Sequence, residues 1–306
     1  MQLGVENMDN DNVVRVVRRT VFLATFVVLV GCALNNVTSQ PRDSRLSSAV
    51  AVVSKGPAIE PFLGQPGPSF VQAYVRFDSD LPDDVIFGID QEFLDGVARP
   101  FHLKGGDWMA FIGLQRTGAV WIATGTDETM AGKPSKDRVW KIRDLRQRLQ
   151  PNTWYRLRTE ADFGTRHFRT FTIEGARLSK SFDLSQEKLD YPNYMPFSDR
   201  AMTFYVFAMR GRSLMTPGAP AGKPVVYFDY VSGGPISVSS DVVAFQSSFE
   251  EQQPIGGQPV TSPIIDLEKY QQGRWYLERD EAIFDVQVVP WARTGSHVGR
   301  ADASLR

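Results

Sequence analysis

The chain is 306 residues long, 42% hydrophobic and carries a net charge of −1, enough apolar material for one large β domain or two ordinary ones. With the charges balanced and no basic domain or tract, nucleic acid is excluded as the main partner. The single cysteine, Cys32, excludes an internal disulfide framework and a cysteine-based metal site, and His102, His167 and His297 are too far apart for metal-ligand spacing.

At the N-terminus Arg15, Arg18 and Arg19 precede ten residues, Val21 to Val30, that are almost wholly apolar. This is the order of a positively charged segment and a signal-peptide apolar core. As a helix the run would be about 15 Å long, roughly half the hydrocarbon core of a bilayer. It ends in Leu29-Val30-Gly31-Cys32, which resembles the lipobox of bacterial lipoproteins. That resemblance implies cleavage after residue 31, acylation of Cys32 and a lipid-anchored, exported protein of the cell envelope. An ordinary signal peptide is the alternative, since Gly31-Cys32-Ala33 also fits a small-x-small cleavage site. Arg18-Arg19 faintly resembles a twin-arginine signal, with Phe22-Leu23 one position late.

Residues 32–69 read as the acylated cysteine and a tether. Asn35-Asn36, Gly56-Pro57 and Gly64-Gln65-Pro66-Gly67-Pro68 are turn or loop signals. Within this stretch Ala49 to Val53 has the composition of a strand.

From residue 70 the pattern changes. In Phe70 to Phe77, Val71, Ala73, Val75 and Phe77 alternate with Phe70, Tyr74 and Arg76. Further strands are predicted at Val85–Ile89, Trp108–Leu114, Ala119–Thr124 and Val139–Ile142, with a tight turn at Arg116-Thr117-Gly118. The stretch Asp90 to Asp95 reads as a loop. A basic cluster from Lys141 to Arg148 reads as a solvated strand end or short helix. A short helix is placed near Asp144–Leu149 or Ser185–Leu189.

Asn152 to Gly175 reads as a hairpin. Tyr155, Leu157, Ala161 and Phe163 share one face, Trp154, Arg156, Arg158 and Glu160 the other, and Asp162-Phe163-Gly164-Thr165 supplies the turn. Met202–Met209 and Val225–Val231 complete the predicted strands, the second stopped by Gly233-Gly234. Many short strands with turn signals between them make an all-β, two-sheet antiparallel sandwich.

The order of a Trp154-Tyr155 strand, an Asp-Phe-Gly turn, a strand ending in Glu174-Gly175 and a late Val225-Val226-Tyr227-Phe228-Asp229-Tyr230-Val231 strand resembles the concanavalin A-like lectin/glucanase sandwiches, laminin-G-like modules included. The resemblance covers about residues 70–240. It implies a jelly-roll domain that meets a glycan on a sheet face or rim. Tyr74, Arg76, Trp154, Arg156 and Arg158 are the candidate ligand-binding residues. Rings stack on sugar C–H groups and arginines pair with hydroxyls or carboxylates, a combination suited to an acidic polysaccharide. An exposed face of cross-strand Arg–Glu pairs, with Glu160 as partner, is the plain alternative.

No catalytic residues are assigned. Hydrolases of that family carry Glu-x-Asp-x-x-Glu on one strand, and Asp90-Gln91-Glu92-Phe93-Leu94-Asp95 has the wrong spacing. The Gln-x-His and Tyr-x-Lys-x-x-x-Tyr patterns of its lyases do not occur. No cofactor is expected, save a calcium ion held by Asp83, Asp84 and Asp229 in the way of loops of this fold. Residues 241–306 resemble the opening of another sugar-binding sandwich, or add strands to the first. Three functions follow: a lipid-anchored polysaccharide-binding protein, a glycan-cleaving hydrolase or lyase of the same fold, or a structural envelope protein.

Overall fold

A computed structural model describes residues 47–55, 67–95, 106–133, 139–194, 201–210, 224–238, 240–250, 275–277 and 283–302. The chain divides into two units, Met1–Arg42 and Asp43–Arg306, and all described residues fall in the second. Leu29 to Cys32 therefore lie outside the described residues, as does most of the predicted tether.

The strands are β1 (Ser47–Lys55), β2 (Pro68–Phe77), β3 (Ile86–Asp95), β4 (Gly106–Met109), β5 (Ile112–Leu114), β6 (Ala119–Thr124), β7 (Val139–Asp144), β8 (Tyr155–Asp162) and β9 (His167–Gly175). They continue with β10 (Leu178–Asp183), β11 (Asp190–Tyr194), β12 (Ala201–Arg210), β13 (Val225–Pro235), β14 (Phe245–Ser247), β15 (Trp275–Leu277), β16 (Ile283–Val288) and β17 (His297–Asp302). One helical turn, α1 (Asp127–Met130), is capped by Thr126. Sheet I runs β15-β1-β12-β3-β5-β6-β7, with β4 paired to β3 and β11. Sheet II runs β10-β9-β8-β2-β13-β17-β16, with β14 on β13. Every pairing is antiparallel. The protein is an all-β, two-sheet antiparallel sandwich.

The period-two pattern places the core. Val71, Ala73, Val75 and Phe77 of β2 and Tyr155, Leu157 and Ala161 of β8 face Phe87, Ile89 and Phe93 of β3 and Tyr205, Phe207 and Met209 of β12. Each large apolar side chain so buried contributes about 1.5–3 kcal/mol. In the hairpin turn, Asp162 Oδ1 accepts from Gly164 N and Thr165 N, which is why an Asp stands at that corner.

Several expectations need correction. Asp90 to Asp95 is not a loop but the second half of β3. Gln91 is tolerated between the sheets because Nε2 donates to Ser69 O and Thr159 O, and on the strand's other face the buried Asp90 accepts from Ala110 N at Oδ1. Trp108–Leu114 is broken into β4 and β5, since Ala110 N turns to Asp90 and to Gln91 O. The basic cluster begins as the exposed end of β7, the strand-end reading, and no helix forms at 144–149 or 185–189: Asp144 Oδ1 accepts from Arg146 N, Asp183 Oδ1 accepts from Ser185 N, and the chain bends at both places. Gly233-Gly234 does not stop β13. A Cβ on Gly233 would lie 2.6 Å from Tyr205 Cδ1, so the glycine lets the strand pass beneath two aromatic rings. Outside the 70–240 range, β1 contains the strand expected at Ala49–Val53, and the described part of 241–306 adds strands to the first sandwich, one of its two alternatives. β1 lies between β12 and β15 in sheet I, and β14, β16 and β17 extend sheet II.

Candidate functional site

The outer face of sheet II carries the residues singled out from the sequence. Tyr74 and Arg76 of β2 and Arg156 and Arg158 of β8 lie on this one face, because the registers pair Tyr74 with Arg156 and Gln72 with Arg158. Trp154 sits at its margin, one residue before β8. The face is already occupied by the chain itself. Trp291 lies over Arg76, with the guanidinium carbon 3.7 Å from the ring centre, and also packs on Tyr227 and Trp154. Trp154 Nε1 donates to Trp291 O at 3.1 Å. Arg293 covers Tyr74 at 4.9 Å.

The strap bearing Trp291 and Arg293 is pinned at two carboxylates. Asp229 accepts from Arg293 N, Thr294 N and Thr294 Oγ1, and also from Tyr230 N. Burial pushes its carboxyl above the usual carboxylate range, and the four donors oppose that rise. Glu250 accepts from Ser296 N and His297 N and pairs with His297 Nδ1 at 2.7 Å. The backbone donors of His297 and Ser296 pull it down to about 2.

Both outward arginines of β8 have carboxylate partners. Arg156 pairs with Glu174 at 2.7 Å, and Arg158 with Glu160 and Asp241. Arg158 also covers Phe70, whose ring turns away from the core yet is buried. The calcium set is not assembled either. Asp83 is clamped by Arg148 and Arg116; the hydrogen bond from Arg148, helped by both charges, holds it below its ordinary value. The oxygens of Asp229 face N–H and O–H donors, whose positive ends repel a cation.

The outer face of sheet I has a different chemistry. Asp90 and Glu92 alternate with core residues on β3, so both lie on this face with their Cα atoms about 6.7 Å apart along the strand, Asp90 buried and Glu92 partly exposed. Across the sheet the registers bring Trp121 of β6 opposite Ile142 of β7, and Ala123 opposite Trp140. Trp140 makes edge contacts with Phe111 at 5.8 Å and Trp121 at 6.0 Å. Gln115 Oε1 accepts from Trp121 Nε1 and fixes the indole. Gly113, paired with Gly88, lets the Ile86 and Phe111 side chains close over it, since an added Cβ would lie 2.3 Å from Ile86 Cγ2 and 3.0 Å from Phe111 Cε1. On edge strand β7 the outward Ile142 is 47% exposed beside the half-buried Trp140. Lys141 and Arg143 point the other way and pair with the buried Glu187.

The half-buried Trp140 and the exposed Ile142 can offer an aromatic and an aliphatic edge to a sugar ring. The sequence reading located these strands but not their use. The available signal was Val139-Trp140-Lys141-Ile142-Arg143, where large apolar and basic residues alternate.

No family model matches the chain, and no curated protein matches it. Among solved structures, a scytalido-glutamic peptidase bound to a peptide-based transition-state analogue aligns with 83% of this chain and 96% of its own, at 10% identity and a TM-score of 0.37. An endo-β-1,4-glucuronan lyase from the fungus Trichoderma reesei aligns with 60% of this chain and 74% of its own, at 18% identity and a TM-score of 0.31. An alginate lyase from Pseudomonas aeruginosa aligns with 56% and 70%, at 8% identity and a TM-score of 0.31.

Proposed function

We propose that this protein is an exported, lipid-anchored β-sandwich that binds polysaccharide on the outer face of sheet I. The observation that carries the reading is the half-buried Trp140, braced from below by the buried Phe111 and Trp121 rings, beside the exposed Ile142 at the sheet edge. The anchor is supported by Leu29-Val30-Gly31-Cys32, where the chain's one cysteine stands at the acceptor position. Acyl chains there would hold the sandwich at a membrane surface, each buried methylene contributing about 0.8 kcal/mol.

The set Tyr74, Arg76, Trp154, Arg156 and Arg158 is the competing surface, and a glycan there would have to displace Trp291. Retention in gels containing neutral or uronic-acid polysaccharides separates the two. Trp140→Ala should weaken retention by about two- to tenfold, the worth of one aromatic contact, and Trp154→Ala should not. The reverse outcome moves the site to sheet II. No retention of the wild type by any polysaccharide returns the protein to the structural envelope class.

Glycan cleavage is the second reading, favoured by the partly exposed Glu92 on the same sheet face. It requires that the protein release new chain ends from a retained polysaccharide and that Glu92→Gln not do so.

A further inference from the structure

The hairpin tip that joins β13 to β14 turns apolar side chains to the outside. Val238 is fully exposed, Val243 is 53% exposed and Val242 43%. From Val231 to Ala244 the sequence carries one ionisable side chain, Asp241, and Arg158 takes both of its oxygens, at 3.1 and 3.0 Å.

The tip is held by its own hydrogen bonds. Ser237 N donates to Ser240 O at 3.0 Å, Ser240 N to Ser237 Oγ at 3.1 Å, and Val242 N to Pro235 O and Ala244 N to Gly233 O at 2.9 Å each. Ser237 Oγ also donates to Ser240 O at 2.7 Å. These donors can therefore leave water without losing a partner, as an apolar surrounding requires. A projecting apolar tip fits a medium that closes around any convex shape, and the boundary between headgroups and acyl chains is such a medium.

The chain brings a membrane within reach. Fourteen residues, 33 to 46, separate Cys32 from β1, and fully extended they span up to about 50 Å. Ser47 pairs with Arg210, five residues beyond the Tyr205 that meets Ser69 beside Gly234 at the foot of the loop. Five residues of strand are about 17 Å, well inside that span.

We propose that the Val238, Val242 and Val243 tip inserts into the apolar boundary of a lipid bilayer and orients the sandwich on the membrane that Cys32 anchors. The inference rests on the anchored reading for the membrane and not on the glycan reading.

The test uses the full-length chain in a Cys32→Ser background, so that Val238→Cys leaves one thiol for an environment-sensitive fluorophore. An N-terminal histidine tag holds the chain on phosphatidylcholine vesicles carrying a nickel-chelating lipid. The membrane is then present whether or not Cys32 is acylated in cells, so failure of the anchor and failure of the loop are read separately. The fluorophore at 238 should shift to the blue and be quenched by a lipid bearing a nitroxide high on its acyl chain. At Gln147→Cys, exposed beside the Arg148–Asp83 pair at the other end of the sandwich, it should do neither. Adding Val242→Ser and Val243→Ser should cut the ratio of inserted to free tip at least about fivefold, as expected for two half-exposed apolar side chains. Raised salt should leave that ratio unchanged, because the contact is apolar. An unquenched fluorophore at 238 on vesicle-bound chain, equal quenching at 147, no loss in the serine variant, or loss of quenching in high salt each overturns the proposal. A blue shift that grows with protein concentration in the absence of vesicles assigns the tip to a second copy of the chain and overturns it as well.

Discussion

Asp229→Ala should unfasten the strap that covers sheet II. The carboxylate is fully buried and accepts from Tyr230 N at 2.6 Å, Arg293 N at 2.7 Å, Thr294 N at 2.9 Å and Thr294 Oγ1 at 2.9 Å. Alanine strands three backbone donors, each costing about 1–3 kcal/mol where water does not replace the acceptor. Part of that is offset because a buried charge disappears with it. The expected net loss is about 3–5 kcal/mol in urea unfolding, in the range for removing one partner of a buried charged network. Amide exchange at Arg293 and Thr294 should accelerate at the same time. The pH dependence has a definite sign. Burial raises this carboxyl, so the folded state holds the proton more tightly than the unfolded chain. The group's contribution is full below the unfolded pKa and is lost as pH rises through the folded one, and the variant should lack that decline. A loss under about 1 kcal/mol, with exchange at 293 and 294 unchanged, would refute the view that Asp229 pins the strap.

Glu250 behaves in the opposite way: held at about 2 against an ordinary 4.5, it adds stability above pH 4.5 that is lost as pH falls toward 2. Glu250→Gln should flatten that acid limb in a pH series of unfolding midpoints. Gly233→Ala should destabilise by about 1–3 kcal/mol in calorimetry, because the new methyl would meet the Tyr205 and Phe245 rings at 2.6 and 2.7 Å. Trp154→Ala, a half-buried residue hydrogen-bonded to Trp291 O, should cost about 2 kcal/mol in urea, between a surface change and a core cavity. In cells, a fatty-acid analogue should label the wild type and not Cys32→Ser; equal labelling of both would dismiss the anchor.

How far the fold was legible follows from which interactions are local. The β8–β9 hairpin and the faces of β2 are written in side-chain alternation and in the Asp162 corner, all within a few residues. Strand β3 was missed because Gln91 looks like loop composition until Ser69 and Thr159, from the opposite sheet, accept its amide. Gly233 looked like a stop because the rings that need its missing Cβ come from β12 and β14. The same limit governs the site. Alternation placed Tyr74, Arg76, Arg156 and Arg158 on one face, but a period of two carries nothing about what covers a face. Trp291 reaches Trp154 across 137 residues of sequence, and no local pattern announces it. On sheet I, Trp121 and Trp140 were recognised only as strand residues, since their contact arises from the β6–β7 register.

Hydrogen exchange of the full-length chain, with and without a polysaccharide that retains it, tests the central claim most directly. Protection should rise at Trp121–Thr124 and Val139–Ile142, with no change at 154–158 or 291–294. Protection confined to 154–158, or new exchange at 291–294 as the strap lifts, would contradict the assignment of the glycan to sheet I.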